Sequence, residues 1–283
     1  MPFVTRFAPS PTGPLHLGHA YSALLASDRA QAAGGQFLLR IEDIDQSRAR
    51  PAWETQIYED LHWFGLRWPT PVMRQSDRLP QYRAALQNLW ERGLLYPCQC
   101  NRRDILAAVS APQEGADPAY GPDGLIYPGT CRHLNRPQDM PAQALRLNIA
   151  SAAEAIGPAP LCFTETGEHP ATHEIPAQQL IETVGDIVLA RRDMGTSYHL
   201  SVVLDDAAQG ITEVTRGADL FDATQIHVLL QRLLDLPTPR YHHHRLIRDD
   251  VGKRLAKRDD ARAIAKYRAD GASPGDIRQM VGL

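Results

Sequence analysis

The sequence predicts an α/β fold built on a parallel sheet. Three observations carry that expectation. An apolar run at Val4–Phe7 is broken by Pro9 and Pro11, as a strand entering a turn is. An Ala- and Leu-rich stretch over residues 15–33 follows and stops at Gly34-Gly35, the pattern of a helix and its terminator. A second apolar run, residues 37–41, then precedes a segment opened by Pro51, whose fixed φ suits a first helical turn. Strand, helix, strand, helix is the rhythm of a parallel sheet covered by helices.

The later elements are read in the same way. Ser76 is placed to cap a helix that ends before Gly93. The rhythm stops near Tyr96. Residues 107–141 hold six Pro and four Gly, too many for regular elements. Strand-like runs return at 186–190, 200–204 and 211–215. Ile226, Leu229, Leu230, Leu233 and Leu234 then recur at helical spacing and predict a helix facing the core. The expected organisation is a first half of the main domain over 1–96 and an insertion over 97–176. The second half follows over 177–240, and a basic segment with short helices over 241–283.

Composition bounds the function. Hydrophobic residues at 43% and charged residues at 22% are the mix of a globular chain. No apolar run approaches the roughly 18 residues of a membrane helix, so no membrane partner is expected. The chain opens without a basic stretch followed by an apolar one, so a cytoplasmic location is expected. Four cysteines do not make a disulfide scaffold, and in a reducing compartment a tight cysteine cluster points to metal. A net charge of −3 excludes a generally basic nucleic-acid coat. Residues 241–283 nevertheless carry ten Lys/Arg against six Asp/Glu, a local excess able to meet a polyanion.

The first chemical cluster is Arg6-Phe7-Ala8-Pro9-Ser10-Pro11-Thr12-Gly13-Pro14-Leu15-His16-Leu17-Gly18-His19. A strand passes through a Pro/Gly turn into a helix start. Such a start presents free N–H groups and the positive end of the helix dipole, which suits phosphate. His16 and His19 are three apart and share one side of the first turn. Gly18 leaves room for close approach to the backbone.

His16-Leu17-Gly18-His19 resembles the HIGH motif of class I aminoacyl-tRNA synthetases. The longer run from Arg6 to Gly13 resembles the opening signature of their glutamyl branch. Leu39-Arg40-Ile41-Glu42-Asp43-Ile44-Asp45 resembles that branch's LRIEDTD run. Residues 196–201 with Asp205-Asp206, and residues 211–219, resemble two further segments. The resemblance implies a Rossmann-type catalytic domain. It implies that His16, Gly18 and His19 bind ATP, which arrives with Mg²⁺. It places Arg6, Ala8, Ser10, Glu42, Tyr198 and Arg216 around L-glutamate, with Glu42 on the α-ammonium group. Arginine suits a side-chain carboxylate because its planar fork pairs with both oxygens. One departure is Asp193-Met194-Gly195, where the family usually has Asp-Gly.

Residues 252–259 resemble the KLSKR form of the class I KMSKS loop, with Arg254 for the first Lys and Ala256 for the Ser. Lys257 aligns with the lysine that meets ATP phosphates. His242-His243-His244 lies on an expected strand. Alternate strand residues face opposite ways, so the three make a poor metal clamp. They are read as core or partly exposed.

Cys98-Gln99-Cys100 is followed by Tyr127 and Cys131. Three thiolates leave a tetrahedral zinc site one ligand short. Tyr127, His133 and Cys162 are candidates on chemistry alone. The spacing resembles that of short glutamyl-synthetase-like proteins in which tyrosine completes the set. The resemblance therefore implies structural Zn²⁺ on Cys98, Cys100, Tyr127 and Cys131. Cys162 is read as an ordinary core thiol.

Only 25 residues follow Arg258, where a full glutamyl-tRNA synthetase continues into an anticodon-binding domain. That organisation resembles the glutamyl-queuosine tRNA(Asp) synthetase family. Its members activate glutamate without tRNA and esterify it onto the queuosine base at wobble position 34. The implied partners are ATP, L-glutamate and queuosine-containing tRNA(Asp). Two alternatives stand beside this: a truncated glutamyl-tRNA synthetase charging the 3′ end of tRNA(Glu), and an inactive tRNA-binding module.

Overall fold

In the computed structural model the described residues are 2–109, 119–247 and 262–283. β1 (Val4–Phe7) leads into α1 (Leu17–Ala32), and β2 (Gln36–Ile41) into α2 (Pro51–Trp63). A short β3 (Met73–Arg74) and a 3-10 turn (Gln75–Arg78) precede α3 (Leu79–Glu91) and β4 (Leu95–Pro97). β1, β2 and β3 pair in parallel, as the alternating rhythm predicts. Ser76 does not cap α3. It sits in the 3-10 turn, where its N–H and Oγ donate to the two oxygens of Asp43 at 2.8 and 2.6 Å.

The following stretch holds α4 (Arg102–Val109), the small hairpin β5 (Tyr120–Gly121) and β6 (Gly124–Leu125), β7 (Leu145–Leu147) and α5 (Ile149–Ala155). β8 (Leu161–Glu165) and β9 (Ala171–Ile175) form a second hairpin, followed by α6 (Ala177–Thr183) and β10 (Val188–Ala190). β7 is the middle strand of an antiparallel trio with β4 and β10. Next come α7 (Tyr198–Ala208), β11 (Glu213–Gly217), α8 (Thr224–Leu233) and β12 (Arg240–His244). β12 lies parallel to both β11 and β8, so a strand from the expected insertion joins the second half of the fold. β1 meets β11 where Thr212 N donates to Val4 O at 2.9 Å. The closing helices are α9 (Ile264–Ala269) and α10 (Pro274–Val281).

Two expectations are corrected here. Residues 200–204 are not a strand but the middle of α7. Ser197 caps that helix, accepting from Leu200 N, and most of its residues are buried. A helix buried on nearly every side reads as a continuous apolar run, which periodicity cannot separate from a buried strand. Cys162 is not a core thiol. On β8 Leu161, Phe163 and Glu165 point inward, so Cys162 and Thr164 point out.

Two large apolar clusters hold the elements. One gathers α3, α7 and α8 around β4, β7 and β10, and includes Ile226, Leu229, Leu230 and Leu233. Burying each such leucine contributes about 1.5–3 kcal/mol. The other packs α1 and α2 on β2, with Ile264 and Ile277 from the closing helices. Arg278 pins α10 to α1 through a two-pronged pair with Asp28 at 2.8 and 2.9 Å.

Candidate active site

The carboxyl ends of β1 and β2 meet where Glu42 N donates to Pro9 O at 3.0 Å. A cavity of about 1010 Å³ opens there, lined by Ser10, Glu42 and Tyr198 among others. Asp123 and Arg146, from the expected insertion, line it as well. Crevices beyond the carboxyl ends of parallel strands are the usual ligand sites of such sheets. Ala8 and Ser10 are both half-buried on the turn after β1.

Arg6 is buried and paired. Its Nε and Nη2 donate to the two oxygens of Asp206 at 2.9 and 3.2 Å. Asp206 also accepts from Arg40 Nη1 at 2.7 Å, and Arg40 Nη2 donates to Glu42 at 3.1 Å. Burial pushes the Asp206 carboxyl up, but the two guanidiniums outweigh it and hold it below its ordinary value. For Glu42 burial wins and the carboxyl is raised, with Arg40 and Arg6 opposing. Burial also raises the Tyr198 phenol, against the fields of Arg216 and Arg6. Arg6 on β1, Glu42 just after β2 and Arg216 on β11 thus all act on Tyr198 of α7.

Arg216 is held differently. Its Nε donates to His243 Nε2 at 3.1 Å, and Nη1 reaches His227 Nδ1 at 2.9 Å. Nη2 donates to Leu220 O and Thr224 Oγ1 at 3.1 and 2.8 Å. None of these partners carries a negative charge.

At the start of α1, His16 is the cap residue. Its Nδ1 accepts from Gly18 N at 3.1 Å, while His19 Nδ1 accepts from His16 N at 3.1 Å. Each neutral ring therefore carries its proton on Nε2. A Cβ on Gly18 would sit 3.1 Å from the His16 ring. The space at Gly18 is taken up by this ring. Lys257 and the KMSKS-like residues lie outside the described residues. The chain on either side is anchored at α1: His244 Nε2 meets Ser22 Oγ at 2.7 Å, and Ala263 bridges to His16.

In the insertion the sulfurs of Cys98, Cys100 and Cys131 lie within 4.8 Å of one another. The Tyr127 hydroxyl is 3.7 Å from Cys98 Sγ and 3.3 Å from Cys100 Sγ, and Cys100 and Cys131 are 3.4 Å apart. A tetrahedron with zinc–sulfur bonds of about 2.3 Å has edges of about 3.8 Å, so this donor set fits zinc. Arg146 Nε donates to Cys98 Sγ at 3.2 Å. His133 is exposed and is not among the side chains whose donor atoms group within 4.8 Å of one another.

Several site residues have no place in the sequence reading. Arg40 is a cation inside an apolar run, and that anomaly was legible. Thr224, His227 and Gln231 form a buried polar stripe beside the leucines of α8, also at helical spacing. Glu165 and Asp123 carry no such local signal, and His243 stands out only as part of the His242-His243-His244 run, read there as core or partly exposed.

The comparisons with known proteins agree with this layout. Residues 2–136 and 169–283 match the family of class I tRNA synthetases (E and Q), catalytic domain. A Rhodobacter capsulatus protein named Glutamyl-Q tRNA(Asp) synthetase is 66% identical, over 99% of this chain and 100% of its own length. The chain belongs to the Glutamyl-Q tRNA(Asp) synthetase family. Another relative with that name, from Symbiobacterium thermophilum, is 42% identical over 98% of this chain and 86% of its own. Among solved structures, a glutamate tRNA ligase from Elizabethkingia meningosepticum in complex with its amino acid aligns at TM-score 0.75 and 26% identity. That alignment covers all of this chain and 61% of the ligase, so this family member spans under two thirds of the ligase's length. Among the described residues no helix is long and apolar enough to cross a membrane.

Proposed function

We propose that this chain activates L-glutamate with ATP, without tRNA, and transfers it to the queuosine base at wobble position 34 of tRNA(Asp). The observation that carries this is 66% identity to a protein of that name over essentially both whole lengths. The cytoplasm is the proposed location, with ATP, L-glutamate and queuosine-containing tRNA(Asp) as partners.

In the first step a glutamate α-carboxylate oxygen attacks the α-phosphorus of ATP. Pyrophosphate leaves with the bonding electrons, and glutamyl-adenylate forms. Such displacements are catalysed mainly by positioning and charge stabilisation. His16 and His19 hold ATP, and Gly18 keeps the His16 ring seated. Lys257 balances charge on the departing pyrophosphate. Mg²⁺ bound with ATP shares the phosphate charge. Glu42 takes the α-ammonium group, Arg216 and Arg6 take the side-chain carboxylate, and Ala8, Ser10 and Tyr198 shape the pocket.

In the second step a hydroxyl of the queuosine ring attacks the glutamyl carbonyl. AMP leaves, the hydroxyl loses its proton, and an ester remains. A base in a single-stranded loop can splay out far enough to enter a cavity. Zinc on Cys98, Cys100, Tyr127 and Cys131 is structural here and stiffens the insertion.

The test offers labelled glutamate to tRNA(Asp) with and without queuosine. Label should enter only the queuosine-containing tRNA. Equal labelling of both, or labelling of the 3′ end of tRNA(Glu), overturns the reading.

A further inference from the structure

The buried arginines Arg6, Arg40 and Arg216 are not equivalent. Arg6 and Arg40 both donate directly to Asp206, and Arg40 also to Glu42. Their charges are balanced within the protein. Arg216 has no carboxylate within ion-pair distance among the described residues; its side-chain partners are two histidines and a threonine.

Proton positions in this network follow from one fact. A guanidinium only donates. His243 Nε2 accepts from Arg216, so the proton of neutral His243 is on Nδ1, and that N–H points at Glu165 Oε2. Glu165 is itself fixed by His243 N at 2.9 Å and Gly167 N at 2.6 Å. On the other side His227 Nδ1 accepts from Arg216, so its Nε2–H donates to His199 Nδ1 at 3.1 Å. His199 Nε2–H then donates to Asp123 at 3.2 Å. Each arm ends on a carboxylate, yet one or two neutral rings separate that carboxylate from the guanidinium. Burial, reinforced by Arg216, holds His227 well below its ordinary value and lowers His243 to about 4, so both rings stay neutral.

We propose that His243 with Glu165, and His227 with His199 and Asp123, are positioning residues: they fix Arg216 through neutral acceptors, reserve its charge for the substrate side chain, and so set the preference for glutamate over its amide. This rests on the reading that Arg216 meets glutamate. A carboxylate placed directly on Arg216 would compete with the substrate, whereas an imidazole orients the fork without neutralising it. Hydrogen bonds to an ionised acceptor are roughly twice as strong as neutral ones, so an unbalanced Arg216 favours the acid over the amide. Glu165 and Asp123 pin the tautomers; with the other tautomer an N–H would face an N–H.

The experiment is pyrophosphate exchange, with glutamate and glutamine compared. The wild-type chain must first show glutamate-dependent exchange; its absence overturns the underlying reading. In His243→Leu and His227→Leu the KM for glutamate should rise about tenfold or more while that for ATP stays within about twofold. The glutamate-to-glutamine ratio of kcat/KM should fall by about tenfold. His243→Gln, whose amide oxygen can replace the Nε2 acceptor, should restore most of the loss, and Glu165→Gln should fall between. If His243→Leu does not fold, His227→Leu and Glu165→Gln carry the comparison. With wild-type exchange intact, the proposal fails if folded variants leave the glutamate-to-glutamine ratio unchanged, or shift the glutamate and ATP KM values alike.

Discussion

Arg6 and Asp206 meet in a buried two-pronged pair, Nε to Oδ1 at 2.9 Å and Nη2 to Oδ2 at 3.2 Å. The pair joins β1 to α7, whose residues lie 200 positions apart in the chain. Asp206 holds Arg40 as well, so one carboxylate supports two buried cations. Asp206→Asn should therefore destabilise the fold by about 3–5 kcal/mol, because a buried charge stripped of its partner is costly. Urea unfolding measures this; a loss below about 1 kcal/mol would show that the arginines find other partners.

Arg216→Lys should impair glutamate use while sparing ATP. Lysine keeps the charge but cannot span His243, His227 and a substrate carboxylate with one fork. A loss of about tenfold or more in kcat/KM for glutamate is expected, with the KM for ATP little changed. Steady-state exchange kinetics decide it.

Gly18→Ala should damage ATP use without unfolding the protein. The added methyl would press on the His16 ring, 3.1 Å from its nearest atoms. Alanine is otherwise the better helix former, by about 1 kcal/mol. The expected result is a raised KM for ATP at unchanged or slightly raised Tm. An unchanged KM would separate His16 from ATP binding.

The purified chain should carry one zinc, and Cys98→Ser should lower both metal content and thermal stability. Metal binding in a loop-rich segment contributes directly to its folding. Tyr127→Phe should lower zinc retention under chelator challenge; metal analysis after dialysis checks it. Full retention in that variant would remove Tyr127 from the ligand set.

Stability should fall on mild acidification. His243 has an ordinary value of 6.5 and is lowered to about 4 in the fold, first by burial and then by Arg216. Between these values the unfolded chain binds the proton and the folded chain does not, so folding is penalised as pH drops. The contribution is complete above about 6.5 and disappears as pH falls toward 4. Urea midpoints at pH 7.5 and 5 should differ in that direction, and His243→Gln should narrow the gap. An equal gap in His243→Gln would assign the effect to other groups.

What the sequence determined by itself is local. Proline, glycine and apolar spacing define β1, α1, β2, α2 and α8, because backbone preference and one-sided burial act within a few residues. His16 and His19 fall at the start of α1 for the same reason, and Cys98, Cys100, Tyr127 and Cys131 approach one another as the family resemblance implied. Tertiary structure decided the rest. Residues 200–204 are helix, but they are covered on nearly every side, which erased the stripe that marks a helix. Cys162 faces outward because the pairing of β8 set which alternate residues point inward. Above all, the difference between Arg6 and Arg216 is invisible in the chain. Both are arginines on parallel strands, and only long-range packing gave Asp206 to one and the neutral rings of His227 and His243 to the other. A charge is balanced by what lies within a few ångströms of it, and the order of residues along the chain does not specify that distance.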